Sequence, residues 1–137
     1  MGIPFATDEW AKALMAKINA SEAYKKAAAK WEGDFYFVTT KGQGIAEDTY
    51  LYLDLWHGVA RDAYLVEDPA AKKVAFELSA PLEVWRKVMD KKLDPIAGIM
   101  KQQLKLKGNM MTIMKTPKAA TELVAAAMSI DTEWPQA

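Results

Sequence analysis

Four short segments between Asp34 and Ser79 have the residue types or the alternation of β-strands, and this pattern limits the fold more than any other. An alternation of period two places every second side chain on the same face of a β-strand. The second segment shows it most clearly, because Leu51, Leu53 and Leu55 share one face. The short connections between the segments predict an antiparallel meander. The four predicted strands are residues 34–40, 49–56, 61–67 and 73–79.

Helical patterns flank this predicted sheet on both sides. Thr7 is placed to cap a first helix, in which Trp10 and Leu14 share one face. Asn19 is placed to cap a second helix, which we expect to run to about Trp31. After the fourth strand the apolar period changes from 2 to 3.6, and proline marks the start of several helices. Those helix starts are predicted near residues 81, 95 and 117.

A short fifth strand interrupts the C-terminal helices. Leu104 and Leu106 alternate with Lys105 and Lys107, a pattern typical of an edge strand protected by lysine. The order is therefore two helices, four strands, two short helices, a fifth strand and terminal helices. This order predicts an α+β fold with one sheet covered by helices, in a single domain of residues 1–137.

Composition excludes several classes of function. Eighteen Lys and Arg residues balance eighteen Asp and Glu residues, so the chain lacks the long-range positive field that nucleic-acid binding usually needs. The absence of cysteine and the single His57 exclude thiol catalysis and a multi-histidine metal site, and no cofactor is predicted. No apolar run approaches the roughly 20 residues that span a membrane. Neither terminus carries a targeting signal, so we expect a cytoplasmic protein.

Residues with catalytic potential are few. Asp54 and His57 are three apart on or near a strand, which directs their side chains to opposite faces. The segment 41–44, Lys-Gly-Gln-Gly, lacks the full glycine pattern of a phosphate loop and is typical of a hairpin turn. We therefore predict no catalytic residue, and an enzyme that uses Asp54, His57 or Glu77 is the least favoured hypothesis.

An apolar surplus lies within thirty residues of the C-terminal half. Methionine is flexible and polarizable, so it fills irregular gaps in a core and also lines surfaces that accept varied ligands. The pattern fits a filled core, which is the commoner use, and equally a cavity for an apolar ligand or a self-association surface. We expect the helix after Asp94 to bury Ile96, Ile99 and Met100. The surplus comprises Trp85, Met89, Ile96, Ile99, Met100, Leu104, Leu106, Met110, Met111, Ile113 and Met114.

Two motifs follow each other closely in this part of the chain. Residues 93–100 read Leu-Asp-Pro-Ile-Ala-Gly-Ile-Met, and residues 104–110 read Leu-Lys-Leu-Lys-Gly-Asn-Met. Upstream lie Phe76-Glu77-Leu78-Ser79 and the helix that contains Trp85. In order and spacing these motifs resemble the sterol carrier protein type 2 (SCP-2) family, which typically has Asp where this chain has Asn109. The resemblance extends more loosely to the N-terminal helices and covers nearly the whole chain.

The resemblance implies a five-stranded antiparallel sheet covered by helices around an apolar tunnel. It implies non-enzymatic binding and transfer of a lipid, which is a fatty acid, fatty acyl-CoA, phospholipid or sterol-like molecule. A stand-alone prokaryotic-type protein is expected, with transient membrane contact and a monomeric or homodimeric state. The alternative is an accessory protein that presents a lipid or isoprenoid-quinone intermediate to partner enzymes. The expected lipid-binding residues are Leu53, Leu55, Phe76, Leu78, Trp85, Met89, Ile96, Ile99, Met100, Leu104, Met110, Met111 and Met114.

Three lysines near the predicted tunnel have two interpretations. Lys101, Lys105 and Lys107 either meet an anionic head group or form a solvated edge, and the solvated edge is the more common arrangement. Thr116-Pro117 interrupts helix hydrogen bonding and is a candidate hinge for ligand exchange.

Overall fold

The structure is a computed structural model that describes residues 2–42 and 44–135. Gln43 of the predicted 41–44 turn lies outside the described residues, as do Met1 and the C-terminal Gln136 and Ala137. A short 3-10 turn spans Pro69–Ala71. The elements in chain order are β1 (Ile3–Pro4), α1 (Asp8–Asn19), α2 (Glu22–Ala27), β2 (Glu32–Thr40), β3 (Thr49–Trp56), β4 (Val59–Val66), β5 (Phe76–Pro81), α3 (Leu82–Met89), α4 (Pro95–Met100), β6 (Lys105–Lys107), α5 (Met110–Met114), α6 (Pro117–Met128) and β7 (Thr132–Glu133).

The main sheet has five strands in the order β4-β3-β2-β5-β6, and helices cover one of its faces. This confirms the predicted α+β class with a five-stranded sheet. The pairings are antiparallel except that β5 runs parallel to β2. The predicted meander is therefore wrong at its fourth strand, because the chain leaves β4 at one edge and returns beside β2. Alternation fixes which face a side chain occupies but not which strand is its neighbour.

The connection from β4 to β5 crosses the outer face of the sheet. The Tyr36 hydroxyl donates to the carbonyl oxygens of Pro69 and Lys72, at 3.1 and 3.2 Å. Val74, which belongs to the predicted strand 73–79, lies in this connection and packs against a cluster of buried side chains on the outer face. That outer cluster of buried side chains consists of Tyr36, Val38 and Tyr52.

A tight turn joins β3 to β4, as the His57-Gly58 pair predicts. Both residues have positive φ, 48° at His57 and 81° at Gly58, which matches the twist of an antiparallel hairpin. Because the turn contains only these two residues, β4 begins at Val59 rather than at Arg61. The predicted strand therefore starts two residues late.

Side-chain oxygens cap the N-terminal helices. Thr7 Oγ1 accepts from the Trp10 N–H at 3.2 Å, which confirms the first predicted cap. The second cap is Ser21, and the prediction of Asn19 is wrong. Asn19 Oδ1 instead accepts from the Ala60 N–H at 2.8 Å, and Asn19 Nδ2 donates to the Ala60 carbonyl oxygen at 2.9 Å. Ala60 lies in the edge strand β4, whose backbone groups need partners outside the sheet.

The main core lies between the inner face of the sheet and the helices. Helix α1 packs on β3 and β4, and helix α3 packs on β2 and β5. Helix α6 packs against the other helices. Leu51, Leu53 and Leu55 of β3 all point into this core, as their alternation predicts. Among the described residues, no helix is both long enough and apolar enough to cross a bilayer.

Candidate functional site

Two apolar cavities lie between the inner sheet face and the helices. The first, the α1 cavity, has a volume of about 80 Å³, and the second, the α4 cavity, has a volume of about 90 Å³. The α1 cavity is lined by Phe5, Trp10, Ala11, Leu14, Phe37, Thr39, Leu51, Tyr52, Leu53, Trp85, Val88, Met89, Leu123, Val124 and Ala127. The α4 cavity is lined by Tyr24, Trp31, Phe35, Phe37, Leu55, Leu78, Trp85, Val88, Pro95, Ile96, Ile99, Leu106, Ile113, Thr116, Ala119, Ala120, Leu123 and Val124.

The two cavities share part of their walls, and we call this shared part the partition. It consists of Phe37, Trp85, Val88, Leu123 and Val124, each of which lines both cavities. Trp85 is held in place because its Nε1 donates to the Val38 carbonyl oxygen at 3.0 Å. Leu123 and Val124 belong to α6 and are only half-buried. Phe37 of β2 is half-buried as well, so the fully buried members of the partition are Trp85 and Val88 of α3.

The sequence of α6 explains why space remains beneath it. Where α6 faces the cavities, it presents Ala119, Ala120 and Ala127 beside the larger Leu123 and Val124. An alanine fills little volume, so a helix with this inner face cannot close a gap against an aromatic sheet to the usual interior density. Phe35 and Phe37, stacked at 5.0 Å between ring centroids, form part of that sheet surface.

The cavity walls carry no charged side chain. Their hydroxyl groups belong to Thr39, Tyr24 and Thr116, whereas the Tyr52 hydroxyl bonds Asp34 on the outer face. Burial raises the pKa of Tyr24 to about 12, so its hydroxyl stays neutral near pH 7. Among residues 2–42 and 44–135, no three His, Asp or Glu side chains form a group able to hold a metal ion. An apolar molecule gains free energy in such walls, whereas a charged group inside them would have no counter-ion.

Seven of the thirteen sequence-predicted residues lie in the cavity walls. Leu53 and Met89 line the α1 cavity, and Trp85 lines both cavities. The other four line the α4 cavity and are Leu55, Leu78, Ile96 and Ile99.

The other six predicted residues lie outside both walls. Phe76 and Leu104 are buried in the core, with the Phe76 ring against Trp31. The expected burial of Met100 is wrong, because 65% of it is exposed. Met110 and Met111 are exposed as well, and Met114 is half-buried. Clustering in the sequence did not reveal that α4 and α5 turn these methionines away from the cavities.

Several wall residues were not predicted as site residues. They include Phe37 of β2, Val88 of α3, and Leu123, Val124 and Ala127 of α6. The available signal was the alanine-rich inner face of the last helix. A helix whose apolar face consists of small side chains indicates a cavity beneath it as well as a core contact.

The candidate catalytic residues do not line the apolar cavities. Asp54 accepts two hydrogen bonds from Arg61, both at 3.1 Å. His57 Nε2 lies 2.6 Å from Glu32 Oε2, and both side chains are about half-exposed. Glu77 lies in a polar cleft of about 280 Å³ on the outer sheet face, where Lys107 Nζ is 3.5 Å from its carboxylate. Each residue is thus engaged separately on the surface, and no two of the three are brought together.

Comparison with known proteins identifies both family and fold. The model of the SCP-2 sterol transfer family matches residues 6–120. A crystal structure of sterol carrier protein 2 is 34% identical, with a TM-score of 0.82 over 92% of this chain and 98% of that one. The solution structure of a conserved hypothetical protein from Thermus thermophilus is 33% identical, with a TM-score of 0.85 over 96% and 95% of the two chains.

More distant structures share the fold alone. A UbiJ-SCP2 ubiquinone synthesis protein is 19% identical to this chain, with a TM-score of 0.56 over 88% of this chain and 95% of that one. None of the curated proteins matches the sequence.

Proposed function

This chain belongs to the SCP-2 sterol transfer family, whose domains bind or transfer lipids, and on that basis we propose that its two cavities together hold one lipid ligand. The ligand is a fatty acid or another lipid with a long apolar chain. The protein acts as a carrier and catalyses no reaction. The proposed site keeps the seven predicted residues that lie in the cavity walls. It adds the other partition residues and leaves out the methionines of α4 and α5.

The shared partition is the observation that supports this proposal. Cavities of about 80 and 90 Å³ are small beside the roughly 300–1,000 Å³ of ordinary ligand pockets. A long chain therefore needs both cavities, and it reaches both only if the partition opens. Leu123 and Val124 are half-buried, as is Phe37, and because α6 supplies two of the five partition residues, an outward movement of α6 would widen the passage between the cavities.

The start of α6 suits such a movement. Pro117 is its first residue and has no N–H to donate. The Thr116 side chain does not cap α6, because its Oγ1 donates backward to the carbonyl oxygens of Thr112 and Ile113. Few hydrogen bonds therefore tie the first turn of α6 to the residues before it, which makes Thr116-Pro117 the proposed hinge.

Apolar burial supplies the affinity. Each CH₂ group removed from water contributes about 0.8 kcal/mol, which corresponds to roughly a fourfold tightening per added methylene. Because the walls carry no charge, the affinity for fatty acids should depend on chain length far more than on salt, with the carboxylate left near solvent.

A titration with a fluorescent fatty acid tests the proposal. Leu123→Trp enlarges a side chain of the partition and should weaken binding by at least about tenfold, because it fills space that the chain needs. Ala120→Leu fills the α4 cavity from the same helix and should act in the same direction. Met100→Trp is the matched control, since Met100 is exposed and its enlargement leaves both cavities unchanged. Equal affinity in all four proteins, each folded by circular dichroism, would contradict the proposal.

Native mass spectrometry followed by organic extraction identifies the natural ligand. A fatty acid or phospholipid at near-unit occupancy supports the carrier role. Recovery of an isoprenoid quinone instead favours the alternative, in which the same cavities present an intermediate to partner enzymes.

A further inference from the structure

Two short helices at the α4 cavity are apolar on the outside as well as the inside. Neither α4, Pro-Ile-Ala-Gly-Ile-Met, nor α5, Met-Met-Thr-Ile-Met, contains a charged residue. Ile99 and Ile113 line the cavity, while Met100, Met110 and Met111 are 65%, 45% and 63% exposed. A surface helix of a soluble protein normally turns a polar face to water. We call these three exposed side chains the methionine patch.

Positive charge is concentrated in the chain segment that carries the methionine patch. Residues 91–118 contain seven lysines and one acidic residue, Asp94, which gives this segment a net charge of +6. The whole chain is neutral, so the remaining residues carry a net charge of −6. All seven lysines are exposed. In the part of the chain that the structure describes, Lys101, Lys105, Lys115 and Lys118 form no ion pair, whereas Lys107 pairs with Glu77.

We propose that this face docks on the surface of an anionic lipid bilayer. Exposed apolar side chains that enter the boundary between head groups and acyl chains, flanked by lysines that meet anionic head groups, are the two features of an interfacial anchor. A protein partner of ordinary composition would explain the methionines but not the +6 segment in a neutral chain. The separation of charge also orients the molecule, because its remaining surface is repelled by the same membrane.

Docking by this face brings the bilayer next to the lipid cavity. Met100 follows Ile99 directly, and Met111 lies two residues before Ile113, so each helix has one side in the cavity wall and another in solvent. A lipid could then pass from the membrane to the cavity beside α4 and α5 without crossing water. This part of the inference, the lipid path, rests on the proposed function. The docking itself does not require the cavities to be filled.

Partition onto vesicles tests the role of charge. The protein should co-sediment with vesicles of phosphatidylcholine containing about one-third phosphatidylglycerol, and far less with pure phosphatidylcholine. Each lysine near an acidic surface contributes a factor of about five, so changing Lys101, Lys105, Lys115 and Lys118 together to Gln should lower the partition coefficient by at least about a hundredfold at low salt. The matched control changes Lys17, Lys26, Lys30 and Lys73 to Gln, which removes the same charge elsewhere and should leave most of the binding.

Partition also tests the role of the methionines. Changing Met100, Met110 and Met111 together to Gln keeps the side-chain length and net charge, and it should lower the partition coefficient by about tenfold or more. All three are exposed, so the variant should fold like the parent. Equal loss in the control quadruple, or unchanged partition in the methionine and lysine variants, would overturn the proposal. Sedimentation that shows self-association through the methionines, with no vesicle binding, would also overturn it.

A vesicle-free titration separates this inference from the proposed function. Fluorescent fatty acid should bind the patch variants as tightly as the parent, because none of the changed residues lines a cavity. Vesicle binding without fatty-acid binding would retain the docking surface and remove the carrier function. Fatty-acid binding without vesicle binding would do the reverse.

Discussion

At the scale of single residues, the turn from β3 to β4 is a close approach between two backbone segments. His57 N donates to the Trp31 carbonyl oxygen at 2.7 Å, which brings the turn against the end of α2. Gly58 has a φ of +81°, and a Cβ there would lie 2.8 Å from the Lys25 carbonyl oxygen. The glycine is thus required twice, for its backbone angle and for the absence of a side chain.

Gly58→Ala should lower the free energy of unfolding by about 1–3 kcal/mol, measured by urea denaturation. Gly58→Asn is the informative comparison, because asparagine tolerates positive φ but still carries a Cβ. We expect Asn to remain destabilised, since its Cβ meets the same Lys25 oxygen. If the Asn variant were as stable as the parent, the backbone angle alone would be the constraint.

Tyr24 gives a residue-scale prediction in alkaline solution. Burial raises its pKa to about 12, against about 10 in the unfolded chain. Between those values the unfolded state has lost the proton that the folded state keeps, so stability is complete below pH 10 and falls by about 1.4 kcal/mol per pH unit above it. Tyr24→Phe should remove that part of the slope, measured by urea denaturation from pH 9 to 11.5. The slope due to Tyr52, whose pKa is raised by burial and by its hydrogen bond to Asp34, should stay.

Residue identity alone predicted some of the candidate site and misplaced the rest. Leu53, Leu55 and Leu78 were identified because strand alternation assigns a face to each residue without knowledge of the neighbours. Met100 and Met111 were misplaced because α4 and α5 are too short, five or six residues, for a period of 3.6 to distinguish two apolar faces. The side on which a methionine falls is then set by the surrounding fold.

At the scale of elements, local signals predicted the helices and strands better than their pairing. The α1 cap, the β3–β4 hairpin and the Asp94-Pro95 helix start each depend on a few adjacent residues, and each was correct. The parallel pairing of β2 with β5 joins residues about forty apart, such as Phe35 with Phe76. No local pattern encodes that choice, which depends on the whole chain closing around one core.

Helix α6 should respond to ligand more than any strand. It covers both cavities with half-buried Leu123 and Val124, so the proposed ligand requires it to move and then packs against it. Amide hydrogen exchange in residues 117–128 should be faster than in β2 and β3 without ligand, and it should slow on addition of a fatty acid. Slowing confined to α1, with α6 unchanged, would place the opening at the other end of the cavities.

At the scale of the whole molecule, opposite faces of one sheet have different roles. The inner face, with its cavities, is apolar, whereas the outer face is partly covered by its own tyrosine cluster and the β4–β5 connection and carries a polar cleft. The Asp34 carboxylate joins these outer parts, since it accepts from the Tyr52 hydroxyl at 3.0 Å and from the Ala75 N–H at 2.8 Å. These contacts on the outer face restrain the sheet, so we expect the helices, rather than the strands, to move when a ligand enters the inner face.

Ligand binding should accordingly stabilise the entire fold. A ligand that binds only the folded state at one hundred times its Kd adds about 2.7 kcal/mol to the free energy of unfolding. For a chain of 137 residues this corresponds to a rise of about 9 °C in Tm, measured by calorimetry. At the same ligand concentration Leu123→Trp should show about half of this rise or less and Met100→Trp should show all of it, because only the first substitution fills the partition. An equal Tm with and without fatty acid in the parent protein would mean that the folded chain binds no fatty acid and that the space between sheet and helices is ordinary packing.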